Sequence, residues 1–273
     1  MITSLSNARI KYVKDLMEKS KLRRNDRCFA AEGVKMFLEA PLLRIRQVYV
    51  MESFLETKGK CSGAFGEKYS EIKDKLDKVN YEAVADNVFK KMCDTITPQG
   101  IITVVDFAGN SIDDIINVDK PLIMILENVQ DPGNIGTIIR TAEGAGASGV
   151  ILTADCADIY SPKVIRATMG SIYRVPVYIT QDLEDTLQVL SQKDIVTVAA
   201  ALNKSSVSYD LYDYALGTAF LIGNEGNGLR QDTINTAKYV CYIPMLGEVE
   251  SLNASVAASI LMYEAAKQRR NQL

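Results

Sequence analysis

From Pro121 onward the chain alternates short apolar runs with amphipathic stretches, and that alternation leaves few folds open. The run Leu122-Ile123-Met124-Ile125-Leu126 has no polar residue on either face. As a strand it must be covered on both sides, which is the habit of a parallel strand inside an α/β layer. A helical pattern follows over 135–145 and a strand over 149–152. Ser161 and Pro162 suit the N-cap and first turn of a helix running towards Met169. Further strands are predicted over 175–179, 195–200, 219–222 and 240–243. A helix is predicted over 183–190, and a last one runs from about 252 to about 270. Strands and helices at this spacing predict a parallel sheet with helices on both faces.

Residues 1–105 mix the two periodicities differently. Val13, Leu16 and Met17 share a helical face, 29–33 reads as a strand entering a turn, and 34–40 is helical. Strands are predicted over 48–50 and 101–105, and helices over 69–76 and 83–92. Residues 106–120 hold four Asp, two Asn and one Gly and read as a linker with one helical turn. The expected organisation is therefore a domain over 1–105, a linker over 106–120 and a second domain over 121–273.

Composition narrows the chemistry. With 273 residues, 47% hydrophobic and 24% charged, the chain can bury a sizeable core and is not of disordered type. It contains no histidine, which removes Ser-His-Asp and Cys-His triads, His-ligated zinc and imidazole acid–base catalysis. Cys28, Cys61, Cys93, Cys156 and Cys241 are scattered with no C-x-x-C pair, as expected of free thiols in a reducing compartment. No apolar stretch reaches 18 residues, and MITSLSNARIKYVKDL has no signal-type apolar core. A cytoplasmic location is expected.

Charge is uneven. Residues 1–50 carry 11 Lys and Arg against 5 Asp and Glu, within a chain whose net charge is −3. Lys19, Lys21, Arg23, Arg24 and Arg27 form the densest positive run. Lys21, Arg23, Arg24 and Arg27 are candidate nucleic-acid phosphate contacts, against the plainer reading of a solvated helix end. Lys267, Arg269 and Arg270 suit a helix C-terminus.

Gly144-Ala145-Gly146-Ala147-Ser148-Gly149 matches G-x-G-x-x-G, but it follows a helix and precedes a strand, the reverse of a dinucleotide site. It reads as a helix C-cap and a tight loop. Three other loops carry more. The first, 127–136, runs off a buried strand into a helix, where open α/β sheets place ligands. In it Asn134 is a candidate N-cap, and Arg140, in the second turn beside Ile138 and Ile139, is expected to be paired. The second, Gly223-Asn224-Glu225-Gly226-Asn227-Gly228, has enough glycine for backbone to wrap a ligand. The third, 243–258, leaves a strand at Pro244 and enters a helix rich in Ala and Ser, with Ser251 as candidate N-cap.

These loops spell N-x-G-x-x-x-R-T-A, G-N-E-G-x-G and I-P-M-x-G-x-x-x-S-L-N. In that order and spacing they resemble the SpoU (TrmH-like) RNA 2′-O-ribose methyltransferases of the SPOUT superfamily, over nearly all of 121–273. Residues 1–105 resemble the L30e-like substrate-binding domain of many members, through Ser4-Leu5-Ser6-Asn7, Arg23 and Phe29-Ala30-Ala31-Glu32-Gly33.

The resemblance implies an α/β SPOUT-type parallel sheet whose C-terminal segment forms a trefoil knot, preceded by a smaller L30e-like α/β domain. It implies S-adenosylmethionine as cofactor, held around Gly223, Asn224, Gly226, Ile243, Met245 and Leu252. The family's catalytic set falls on Asn134, Arg140, Glu225, Ser251 and Asn253, with Ala254 smaller than usual at its position. It further implies a structured RNA substrate, ribosomal RNA of 23S type rather than transfer RNA, and a homodimer through the knotted region, with Arg140 acting in cis or across that interface. A non-catalytic SPOUT-fold RNA-binding or ribosome-assembly protein and a base methyltransferase are the competing readings. A ribose hydroxyl needs its proton taken or dispersed. Without histidine, Glu225, Arg140 and an RNA phosphate remain open. Family accounts favour the arginine as base, but guanidinium essentially never deprotonates in proteins, so a phosphate clamp is the better expectation for Arg140.

Overall fold

A computed structural model describes residues 1–56 and 69–271. They gather into two compact units, Met1–Ala108 with Asp158–Tyr173, and Gly109–Ala157 with Arg174–Leu273.

The first unit runs α1 (Ala8–Glu18), α2 (Ser20–Asp26), β1 (Cys28–Glu32), α3 (Val34–Glu39), β2 (Ile45–Met51), α4 (Glu52–Glu56), α5 (Tyr69–Leu76), β3 (Tyr81–Val84), α6 (Asp86–Met92) and β4 (Ile101–Asp106). Its four strands lie in the order β1-β4-β2-β3, antiparallel except for β2 with β3. Alternate residues of β4 and β2 feed opposite faces, as the strand period of two requires. Ile102, Val104 and Tyr49 meet Ile10, Val13, Leu16 and Met17 of α1. Ile101, Val48 and Val50 meet Phe37, Phe54 and Ile72. Where a helix over 83–92 was expected, the first residues are β3, because Val48–Met51 offers a parallel partner and Ile2 bridges Val84 from the N-terminus. The helix begins only at Asp86.

The second unit runs α7 (Asp113–Ile116), β5 (Leu122–Leu126), α8 (Pro132–Ala145) and β6 (Gly149–Thr153). The chain then forms α9 (Pro162–Thr168), which belongs to the first unit, and returns as β7 (Val177–Thr180), α10 (Leu183–Gln192), β8 (Val196–Ala200), β9 (Val207–Ser208), β10 (Thr218–Ile222), α11 (Gln231–Thr236), β11 (Tyr239–Tyr242) and α12 (Ala254–Arg270). The seven strands are all parallel, in the order β7-β6-β5-β10-β8-β11-β9. All five residues of β5 are buried, each worth roughly 1.5–3 kcal/mol of transfer free energy for a large side chain. From β5 the chain goes to one side for β6 and β7, and to the other side for β8 through β11. The switch point lies between β5 and β10, where such sheets bind ligands. α12 comes back across this point to pack on α8, β10 and β5. Gly146 ends α8 at φ 71°, so the G-x-G-x-x-G stretch is the cap and loop that its order suggested.

The expected linker holds α7, whose Ile115 and Ile116 are buried in the core of the second unit. The division into two continuous stretches does not match the packing, because residues 158–173 join the first unit. Three features hold them there. Tyr160 stacks on Phe107 and Phe29 with ring centroids 3.6 and 5.0 Å apart, Arg166 pairs with Asp94 at 2.5 Å, and Arg23 pairs with Asp158 at 2.6 Å.

That last pair corrects one expectation. Arg23 is 3% exposed, donates to the carbonyls of Leu16 and Met17 at 2.5 and 2.9 Å, and closes the C-terminal turn of α1. Its donors are spent inside the protein, so it is not a surface contact for RNA. Lys21, Arg24 and Arg27 of the same run are exposed.

Cys28 and Cys241 are buried and Cys93 and Cys156 partly so, all as free thiols. Burial pushes Cys241 up to about 12 and Cys93 further still, which leaves them as inert thiols. Cys61 lies outside the described residues. Among the described residues, no helix is long and apolar enough to cross a membrane.

Candidate active site

The loops after β5 and β10 emerge side by side, because Leu126 and Ile222 are register partners at the ends of neighbouring strands. The first loop turns through Asn128, which sits at φ 54°, and enters α8 at Pro132. Asp131 is the N-cap of α8, its Oδ1 accepting from Asn134 N–H at 2.9 Å. Asn134 was expected in that role. Asp131 displaces it because Pro132 suits the first helical position, which fixes the start of the helix three residues earlier than predicted. The Asn134 side chain is thereby freed. It is 6% exposed, donates through Nδ2 to Glu225 Oε1 at 2.9 Å, and accepts at Oδ1 from Asn253 Nδ2 at 2.9 Å.

Glu225 takes two more donors. The N–H groups of Gln130 and Asp131 reach its Oε2 and Oε1, each at 3.1 Å. Burial alone would raise this carboxyl, but the bonds from Asn134 and from the backbone outweigh it and hold the group below the ordinary carboxylate range. Glu225 is therefore ionised at neutral pH and a weak base. Its loop closes on itself. Asn224 N–H donates to Gly228 O at 3.1 Å and Gly228 N–H to Asn224 O at 2.8 Å. Asn224 Oδ1 accepts from Gly226 and Asn227 N–H, both at 3.0 Å. A Cβ on Gly223 would lie 2.1 Å from Gly228 C, so no larger residue fits there.

Asn253, not Ser251, is the N-cap of α12. Its Oδ1 accepts from Ser255 N–H and Ser255 Oγ at 2.9 and 2.6 Å. Capping uses the oxygen of Asn253 and leaves its nitrogen for Asn134. A continuous amide chain, Asn253 to Asn134 to Glu225, thus ties the three loops together.

Beside this chain lies a cavity of about 780 Å³, within the roughly 300–1,000 Å³ usual for small-molecule sites. Gly223, Asn224, Gly226, Ile243, Met245 and Leu252 all line it, as do Glu225, Ser251 and Asn253. Ala200, Ala257 and Val249 add apolar wall. Glycine backbone, aliphatic walls and the carboxylates of Glu225 and Glu250 suit a flat heterocycle joined to a cationic tail.

Arg140 stands apart. It is exposed on α8 and, among the described residues, makes no hydrogen bond or ion pair, contrary to the expected pairing. Ile138 and Ile139 face the core while Arg140 faces outward. At about 100° per residue, six positions put it roughly 120° around the helix from Asn134. Sequence reasoning also missed Glu127. It is 1% exposed and accepts from Arg230 and Thr233. The signal was there to read, since an acidic residue directly after five apolar strand residues has to be buried and therefore paired.

The SpoU rRNA Methylase family model matches residues 121–263 of this chain, and the MRM3-like substrate binding domain matches residues 7–103. The chain belongs to the SpoU rRNA methylase family. Among its relatives is an uncharacterised tRNA/rRNA methyltransferase of Synechocystis sp., 30% identical over 98% of this chain and 94% of that one. The 23S rRNA (guanosine(2553)-2′-O)-methyltransferase RlmP of Bacillus subtilis is 31% identical over 66% of this chain and 70% of its own length. The AdoMet-bound rRNA methyltransferase from Sinorhizobium meliloti superposes with a TM-score of 0.82 at 29% identity, covering 100% of this chain and 98% of that one. The expectation of an RNA 2′-O-methyltransferase using S-adenosylmethionine, on an α/β fold with a parallel sheet, is borne out by this SpoU membership and these neighbours.

Proposed function

We propose that this SpoU-family chain transfers a methyl group from S-adenosylmethionine to a ribose 2′-hydroxyl of ribosomal RNA, of 23S type. The observation that carries the reading is the cavity of about 780 Å³ lined by all six expected cofactor residues, with the Asn253–Asn134–Glu225 chain along its rim. The cofactor would lie against Gly223, Asn224, Gly226, Ile243, Met245 and Leu252, and it supplies an electrophilic methyl on a cationic sulfur.

The residues of this chain then have separable tasks. Glu225, ionised and already accepting three hydrogen bonds, orients Asn134 and is the wrong group to take a proton. Asn134 and Asn253 hold the rim of the cavity in one arrangement, which is the alignment an in-line displacement needs. Ser251 lines the cavity, exposed to a substrate. Arg140, exposed and unengaged among the described residues, clamps an RNA phosphate and lowers the hydroxyl pKa through its fixed charge. Lys21, Arg24 and Arg27 add phosphate contacts on the substrate-binding unit. The same reading takes that unit as L30e-like, the C-terminal segment as a trefoil knot, the active form as a homodimer and the location as cytoplasmic.

The test is methyl transfer from labelled S-adenosylmethionine to total RNA of cells lacking the protein, with Arg140→Ala as control. Label in one RNA at one alkali-resistant linkage supports the reading. Absence of both transfer to any RNA and cofactor binding would leave a non-catalytic RNA-binding protein.

A further inference from the structure

We propose that Glu127 is a positioning residue for the cofactor, clamping both ends of the 223–229 loop. The Glu127 backbone N–H donates to Ile222 O at 2.9 Å, just before the loop. Its Oε2 accepts from Arg230 N–H at 2.8 Å, just after it. Its Oε1 accepts from Arg230 Nε and Thr233 Oγ1, both at 2.6 Å. One residue at the end of β5 therefore fixes the entry and exit of the loop whose backbone forms a wall of the cavity. The other ties of the loop lie within its span: internal bonds between Asn224 and the residues 226–228, Asn224 Nδ2 to Asn128 O at 2.9 Å, and the Glu225 carboxylate accepting from Gln130, Asp131 and Asn134. A carboxylate is required, because donors converge on both oxygens. An amide would turn an N–H towards one of them and leave buried donors unpaired.

The inference rests on the cavity being the cofactor site. The measurement compares the full-length protein with Glu127→Gln and Arg230→Ala. It takes S-adenosylmethionine affinity by calorimetry, kcat at saturating cofactor, and affinity for total ribosomal RNA. Glu127→Gln is expected to weaken cofactor binding about tenfold or more, with kcat at saturation and RNA affinity within about twofold. Arg230→Ala keeps the backbone N–H bond to Glu127 and is expected to cost about threefold. Wild-type cofactor affinity in folded Glu127→Gln overturns the proposal, as does an equal loss in cofactor and RNA affinity, which marks a general structural role. If Glu127→Gln does not fold, Arg230→Ala decides: reduced cofactor affinity with unchanged RNA affinity supports the clamp, and unchanged cofactor affinity overturns it. Ala257→Trp, which fills the cavity, keeps the two questions apart. If it binds cofactor normally, the location of the site is wrong, whatever Glu127 does.

Discussion

Asn134 donates to Glu225 across 91 residues of sequence, at 2.9 Å, from a side chain that is 6% exposed. The contact exists because Asp131 caps α8 and spares Asn134 that duty. Glu225→Gln should break it, since the replacement amide then faces two backbone N–H groups and the Asn134 amide with only one oxygen. Loss of a hydrogen bond to a charged group costs about 1.5–3 kcal/mol, so kcat/KM for methyl transfer should fall by roughly 10–100-fold. The melting temperature should fall by only a few degrees, because Glu225 itself is exposed and water can replace part of what is lost. Steady-state kinetics beside a thermal melt checks both.

The same carboxylate has a pH signature. Its folded pKa lies below the ordinary glutamate value, so its stabilising bonds are fully present above that value and are lost as pH falls through the lower folded one. The rim of the cavity should keep its order as pH falls to the ordinary carboxylate range and lose it only below that range. Glu225 then contributes no acid limb to activity between pH 6 and 8. A limb in that range that vanishes in Glu225→Gln would identify Glu225 as the base and contradict its role here.

Arg23 and Arg24 should behave oppositely although they are neighbours. Arg23→Ala removes a buried partner of Asp158 and the ties to Leu16 and Met17. It should cost about 2–4 kcal/mol, less than a fully buried pair because water still reaches Asp158. Arg24→Ala should change stability by no more than about 0.5 kcal/mol. It should weaken RNA binding and flatten its salt dependence by about one charge. Urea denaturation and RNA titrations at several salt concentrations separate the two.

Gly223→Ala should abolish cofactor binding while the sheet survives. The added methyl would meet Leu229 N at 2.2 Å as well as Gly228, and backbone cannot give way as a side-chain tip can. Calorimetry with S-adenosylmethionine should show no binding, and far-ultraviolet circular dichroism should be unchanged.

Much of the frame was legible in the sequence. LIMIL could only be a strand covered on both faces, and β5 has all five residues buried. The three loops stood out because repeated glycine and a small-residue helix are costly choices unless backbone must come close. The six expected cofactor residues all line one cavity. Misjudged were the residues whose local options were nearly equal in energy. Asp131 and Asn134, or Ser251 and Asn253, are equally good caps on paper. Tyr81–Val84 is as apolar as the first turn of a helix, and only a strand waiting to pair decided it.

Local pattern alone therefore determined the strand and helix periods, the parallel sheet and the loops that carry chemistry, because these depend on spacing within a few residues. Tertiary structure decided which polar groups are spent and which remain available. Glu127 meets Arg230 103 residues away, and Arg23 meets Asp158 135 residues away. Both side chains are buried by those partners, and Arg140 is left in water because α8 turns it outward. No sequence pattern encodes such pairings, since the desolvation of a charge is set by what the whole fold places around it.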